Sequence, residues 1–146
     1  MITGVEIDMV VTNCLSALNL YEEVFGAKKI EATSYQEGLN EAVFTIYGTR
    51  FHLLDENSEF SLNAPKEGVL PLWCNVSVED IVSTFEKAKA AGFTVIQPLN
   101  DMQELGVINA IVKDPFGYVW MLHQVVKEVS FEERCKIMEA HMGITR

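Results

Sequence analysis

The stretch Asp114-Pro115-Phe116-Gly117, followed by Tyr118-Val119-Trp120-Met121-Leu122-His123-Gln124-Val125-Val126, decides how this chain is read. The first four residues suit a type I turn. Asp at the first position can accept a backbone N–H, Pro brings the φ that the second requires, and Gly relieves the fourth. The nine that follow are short, aromatic and β-branched, which marks a buried strand. Ahead of the turn, Val107–Lys113 reads as the hairpin partner. An earlier hairpin, residues 41–47 and 50–55 joined through Gly48-Thr49, has the same layout.

Working outward, the likeness extends to whole halves. Residues 5–11 alternate as a strand with one apolar face, and Glu6 and Asp8 lie on the other. Asn13 suits a helix N-cap, Leu15, Leu18, Tyr21 and Phe25 recur at helical spacing, and Gly26 ends the helix. Residues 28–35 read as a strand and 38–40 as a turn. In the second half, residues 70–78 read as a strand and Asp80 caps a helix with the stripe Ile81, Phe85 and Ala88. Gly92 closes it, residues 93–99 read as a strand that breaks at Pro98, and residues 100–106 as a loop. Asn13 and Asp80, Gly26 and Gly92, and Gly48 and Gly117 recur at spacings of 66 to 69 residues. A near-constant period with short insertions marks a duplicated unit. Neither half could bury its own sheet face, so the two are expected to pair. Residues 58–69, polar and rich in turn formers, read as the linker between units 1–57 and 70–127, which together form one domain of residues 1–127. Residues 128–146 form a further element. Ser130 and Glu133 match a capping box, and Phe131, Cys135, Met138 and Met142 then share one helix face, expected to pack on its own domain or a second subunit.

The chain of 146 residues is 49% hydrophobic and 22% charged, an ordinary globular composition. Its formal net charge of −10 argues against nucleic acid or an anionic membrane as partner. No apolar run is long enough to cross a bilayer, and the N-terminus shows no signal peptide. Cys14, Cys74 and Cys135 are odd in number and far apart, which fits reduced thiols in a cytoplasm.

Three stretches, residues 13–27, 78–81 and 114–122, together resemble the vicinal-oxygen-chelate superfamily, also called the glyoxalase/bleomycin-resistance/dioxygenase fold. The endings Glu23-Val24-Phe25-Gly26-Ala27 and Asp114-Pro115-Phe116-Gly117 to Trp120-Met121-Leu122, with the tail 129–138, look most like its PhnB-like branch. The resemblance implies an α+β fold of two βαβββ modules forming a cupped, incompletely closed sheet, here with a C-terminal helix. It also implies a homodimer, and in the enzymes one divalent metal held by four inward side chains. Those four positions fall on Glu6, His52, Trp73 and Met121. Glu6 and His52 are competent metal ligands; Trp73 is not, and Met121 is too soft for a hard or borderline cation. Period-2 alternation adds Asp8, Asn75 and His123 to the same faces. The expected cavity is therefore lined by Glu6, Asp8, His52, Trp73, Asn75, Met121 and His123. Trp73 and Trp120 also read as core residues, and Met121 as a packing residue.

Three functions follow. The first is a small-molecule-binding protein with no cofactor and an incomplete metal site. The second is a divalent-metal-dependent lyase, isomerase or dioxygenase using Glu6 and His52. The third is a structural role. No glycine-rich strand-turn-helix is present to hold a methyl-donor cofactor.

Overall fold

Two side-chain acceptors at matching places start both long helices. The computed structural model describes residues 4–68, 70 and 72–143. In the first module, β1 (Asp8–Val11) leads to α1 (Cys14–Phe25), then β2 (Lys28–Ala32), β3 (Glu41–Ile46) and β4 (Thr49–Asp55). In the second, β5 (Cys74–Ser77) leads to α2 (Ile81–Ala90), then β6 (Thr94–Met102), β7 (Val107–Lys113) and β8 (Val119–Val125). The Asn13 side chain accepts the Ser16 N–H and that of Asp80 the Ser83 N–H, the caps expected from sequence. The ends of β4 and β8 add a second acceptor each. Asp55 Oδ1 takes the Cys14 N–H at 2.7 Å, and Gln124 Oε1 takes the Ile81 N–H at 2.9 Å. Each module's closing strand thus satisfies an orphan donor of its own helix.

The strands form two four-stranded mixed sheets, ordered β1-β4-β3-β2 and β5-β8-β7-β6. The opening strand of each module runs parallel to its closing strand, with Asp8 opposite His52 and Asn75 opposite Met121. The fold is therefore two βαβββ modules with no closed barrel, followed by α3 (Phe131–Met142). One continuous hydrophobic core joins the helix-facing sides of both sheets. Trp120 and Tyr21 are fully buried; their rings meet edge to face at 5.3 Å, and Phe25 packs on Trp120 at 4.6 Å.

Asp114 holds this junction. Its backbone carbonyl accepts the Gly117 N–H at 3.1 Å, closing the turn expected from sequence. Its Oδ1 accepts the N–H groups of Phe116 and Tyr118. Its Oδ2 accepts the Tyr21 hydroxyl at 2.6 Å and the Trp120 indole N–H at 2.9 Å. One buried carboxylate therefore joins the turn of the second module to the helix of the first. Gly117 has φ +98°, and a Cβ there would press on Pro65 at 2.9 Å, so both backbone and packing require glycine.

Several boundaries differ from the sequence reading, among them that of β2, which ends at Ala32 and not at Tyr35. β1 begins at Asp8, the first residue in register with β4, opposite His52. The strand expected over 70–78 is short, covering Cys74–Ser77; Pro71 in that range lies outside the described residues. β6 does not break at Pro98 but runs on to Met102. It is an edge strand, and two register slips between Val95 and Asn100 leave Pro98 outside the paired positions. The loop expected over 100–106 reduces to a single 3-10 turn, Gln103–Leu105. Between the modules, Asn57 and Leu62 pair through backbone hydrogen bonds around a short turn, and Ala64 is buried.

α3 starts as the capping box requires, with Ser130 Oγ accepting the Glu133 N–H at 3.2 Å. It rests on the Gln103–Leu105 turn, and His141 Nε2 lies 2.7 Å from Glu104. Its apolar face is not buried within the chain: Phe131, Met138 and Met142 are all exposed.

Candidate ligand and metal site on the open sheet face

Alternation along β1 and β4 turns Met9, Val11, Phe51 and Leu53 toward the core. Their neighbours Asp8 and His52 face the opposite, helix-free side. Glu6 precedes the strand but is held beside it, because the His52 N–H donates to the Ile7 carbonyl at 3.0 Å. On this face His52 Nδ1 lies 3.0 Å from Glu6 Oε1 and 3.2 Å from Asp8 Oδ1, and His52 Nε2 lies 3.2 Å from Glu41 Oε2. Arg50 Nη1 donates to Glu6 Oε2 at 2.6 Å. The imidazole is the least exposed member, ringed by three carboxylates that water reaches freely.

That ring sets the protonation. Burial lowers the pKa of His52, but the hydrogen bond with Glu41 and the charges of Asp8 and Glu6 outweigh it, and the pKa ends above its ordinary value. Glu6 shifts below the usual carboxylate range, chiefly through hydrogen bonding with Asp8 and then through the charges of His52 and Arg50. The surrounding carboxylates therefore favour the protonated imidazole over the neutral one. Both Glu41 and Arg50 escaped the sequence reading. The signal was present: Arg50 is two residues before His52 on the same strand face, and Glu41 opens the strand paired with β4.

The other expected residues lie elsewhere. Asn75 Nδ2 contacts Met121 Sδ at 3.6 Å, the second module's counterpart of the Asp8–His52 position. Trp73 precedes β5 and is 54% exposed, which corrects its reading as a core residue; alternation puts it on the side of the exposed Asn75, opposite the buried Val76. Trp120 is core as expected. His123 lies further along β8, beside α3, and its Nδ1 is buried with no hydrogen-bond partner. The groove between the modules, about 280 Å³, is lined by Ile46, Tyr47, Thr49, Phe51 and β5. Of the seven expected lining residues only Asn75 reaches it. The reason is that the two sheets share their helix-facing sides, whereas Glu6, Asp8, His52, Met121 and His123 sit on the other sides.

Glu6, Asp8 and His52 each offer one donor atom, all within 4.8 Å of one another. Two carboxylates and an imidazole suit a hard or borderline divalent cation once His52 gives up its proton. Asp8 thus joins the metal donors expected from sequence. Asn75 and Met121, by contrast, make a poor pair for such an ion.

Residues 5–122 match the family profile described as Glyoxalase/Bleomycin resistance protein/Dioxygenase superfamily. The chain belongs to that superfamily. Among superfamily relatives, an uncharacterized protein of Mycobacterium bovis is 32% identical over 130 residues, covering 86% of this chain and 85% of that one. A Mycobacterium tuberculosis counterpart shows the same identity over 76% of its length. Two solved structures resemble this fold in shape. The fosfomycin resistance protein FosX of Listeria monocytogenes, complexed with Mn(II) and sulfate ion, superposes with a TM-score of 0.67 at 18% identity, over 94% of this chain and 99% of that one. TioX from Micromonospora sp. ML1 gives 0.63 at 18% identity, over 88% and 100%.

Proposed function

We propose that this superfamily member, of the PhnB-like branch, binds a small molecule on its open sheet faces, with the Glu6–Asp8–His52–Glu41 cluster as the recognising element. The observation that carries the reading is the asymmetry between the modules. One presents three acids and an imidazole; the matching place in the other presents Asn75 and Met121. A complete four-ligand ion site therefore does not arise from the duplicated positions. The acidic half suits a ligand bearing a cationic or hydrogen-bond-donating group, and the Asn75–Met121 half suits its less polar portion.

The three-donor set favours a second reading, a divalent-metal-dependent lyase, isomerase or dioxygenase. Glu6, Asp8 and His52 would hold the ion, which would act as a Lewis acid toward ligand oxygens. One titration separates the two. Mn(II) and Zn(II) are added to metal-stripped protein and followed calorimetrically, with His52→Ala alongside. The binding reading expects no saturating uptake at micromolar cation. One equivalent per chain, weakened at least about tenfold by His52→Ala, overturns it in favour of the metal enzyme.

A homodimer fits the same reading. Leu72 and Trp73 beside the β5 edge, and Phe131 on α3, are all more than half exposed. A second copy placing one protomer's first module against the other's second would cover such surface. Sedimentation velocity at micromolar concentration is expected to give a dimer; a single monomer boundary would refute this arrangement.

A further inference from the structure

β5 leaves a row of backbone groups unused. It lies at the outside of the second sheet, parallel to β8. Just beyond its end, the Val78 N–H donates to the His123 carbonyl at 2.8 Å. Bonds to one parallel neighbour come from every second residue, so Cys74 and Val76 also face β8. Asn75 and Ser77 therefore turn their N–H and C=O groups outward, and among the described residues neither N–H has an acceptor. These groups border the groove of about 280 Å³ whose far wall is the end of the β3–β4 hairpin.

The other three outer strands are each obstructed. On β1 the Val10 carbonyl is taken by the Tyr118 hydroxyl at 2.9 Å. β2 slips between Lys29 and Glu31, and β6 holds Pro98 and slips twice. β5 has none of these devices. Its register with β8 is continuous from Cys74 to Ser77, and residues 70–78 contain no charged side chain, in a chain that is 22% charged. A straight, uncharged edge of this kind accepts another strand. A second copy of the chain offers one unobstructed edge among its described residues, and that edge is β5 itself. A two-fold contact sets each residue close to its own copy, which an uncharged stretch allows. We infer that β5 pairs antiparallel with β5 of a second copy, the two-fold axis passing at Val76 and Asn75 lying opposite the partner's Ser77. Each such pair exchanges two N–H···O bonds, so the contact closes four. It joins the two second sheets into one, and it lays the partner's β5 against the hairpin of the first module. The inference thus rests on the homodimer reading above and names the strand that makes it.

Amide-resolved hydrogen exchange on the full chain, read beside sedimentation velocity at micromolar concentration, tests this. In the dimer the Asn75 and Ser77 amides are expected to exchange as slowly as those of Val76 and Val78. On dilution to monomer they should lose that protection while Val76 and Val78 keep theirs. Asn75→Pro removes one outward N–H from each copy, and Ser77→Lys leaves the backbone donors in place but sets an ammonium on the edge. Each is expected to weaken self-association at least about tenfold. A monomer in the wild-type sample overturns this inference and the homodimer reading together. A dimer whose Asn75 and Ser77 amides exchange freely overturns the inference alone and leaves the homodimer standing. Ser77→Lys that keeps the wild-type circular dichroism and dimerises as tightly as wild type does the same.

Discussion

Asp114→Ala is expected to destabilise the protein by about 3–5 kcal/mol, the loss expected when several buried donors are left without an acceptor. The carboxylate is only 4% exposed, so water cannot replace it for Tyr21 and Trp120. The two backbone donors, Phe116 and Tyr118, belong to the turn and lose the group that shapes it. For a chain of this size the loss corresponds to a fall in Tm of about 10 °C. Tyr21→Phe removes a single bond and is expected to cost about 1–2 kcal/mol. The two effects should not add, because both act on the same carboxylate. Urea melts followed by Trp120 fluorescence provide the measurement. A cost below about 1 kcal/mol for Asp114→Ala would mean that the junction between the modules is held by packing alone.

The paired helix-start acceptors make the second large effect, and an unequal one. Asp55→Ala strips the acceptor from the N–H groups of Cys14, Gly38 and Asn40, and is expected to cost about 3 kcal/mol. Gln124→Ala removes one partly exposed bond and is expected to cost about 1 kcal/mol. The difference should depend on pH in a defined direction. Burial raises the pKa of Asp55, but the N–H bonds from Cys14, Asn40 and Gly38 more than reverse this, leaving it below 3.8. A carboxyl whose folded pKa is depressed contributes stability above its unfolded value and loses it as pH falls through the folded one. The gap between wild type and Asp55→Ala should therefore be full at neutral pH and narrow below about pH 3.8, whereas that for Gln124→Ala should stay flat. Parallel acid titrations of the three proteins, read by circular dichroism, decide this. The same site explains an inert thiol: burial, then Asp55, pushes Cys14 to about 12.

Much of this architecture was legible in the sequence because local signals and the duplication agreed. Asn13, Asp80, Asp114 and Ser130 are short-range caps and turn formers, and each does at its own position what its chemistry predicts. Pro98 misled because a proline rule presumes a strand with neighbours on both sides; at a sheet edge the missing donor costs nothing. Trp73 misled because its size suggested burial, whereas its place in the alternation is that of the exposed Asn75 and not of the buried Val76. The site was half legible. Period-2 alternation put Glu6, Asp8 and His52 on one face, and the structure brings them within bonding distance of one another. What alternation could not supply is which sides of the two sheets face each other. That depends on Tyr21, Phe25, Phe51 and Trp120 forming one core, a long-range fact absent from any local window. The Gln124 and Asp55 equivalence was hidden for a similar reason: the two residues differ in type and become twins only through the donors they meet.

The irregular outer strands have a bearing on behaviour in concentrated solution. β6 carries Pro98 and two slips, and β2 carries a slip between Lys29 and Glu31, with charged side chains along a fully exposed ribbon. A neighbouring molecule laid along β6 would meet the missing donor of Pro98 and misaligned carbonyls, and one laid along β2 the ammonium groups of Lys28 and Lys29. Fibril growth from the flanks is thereby discouraged by the backbone itself, whatever the interior of the sheets has evolved to hold.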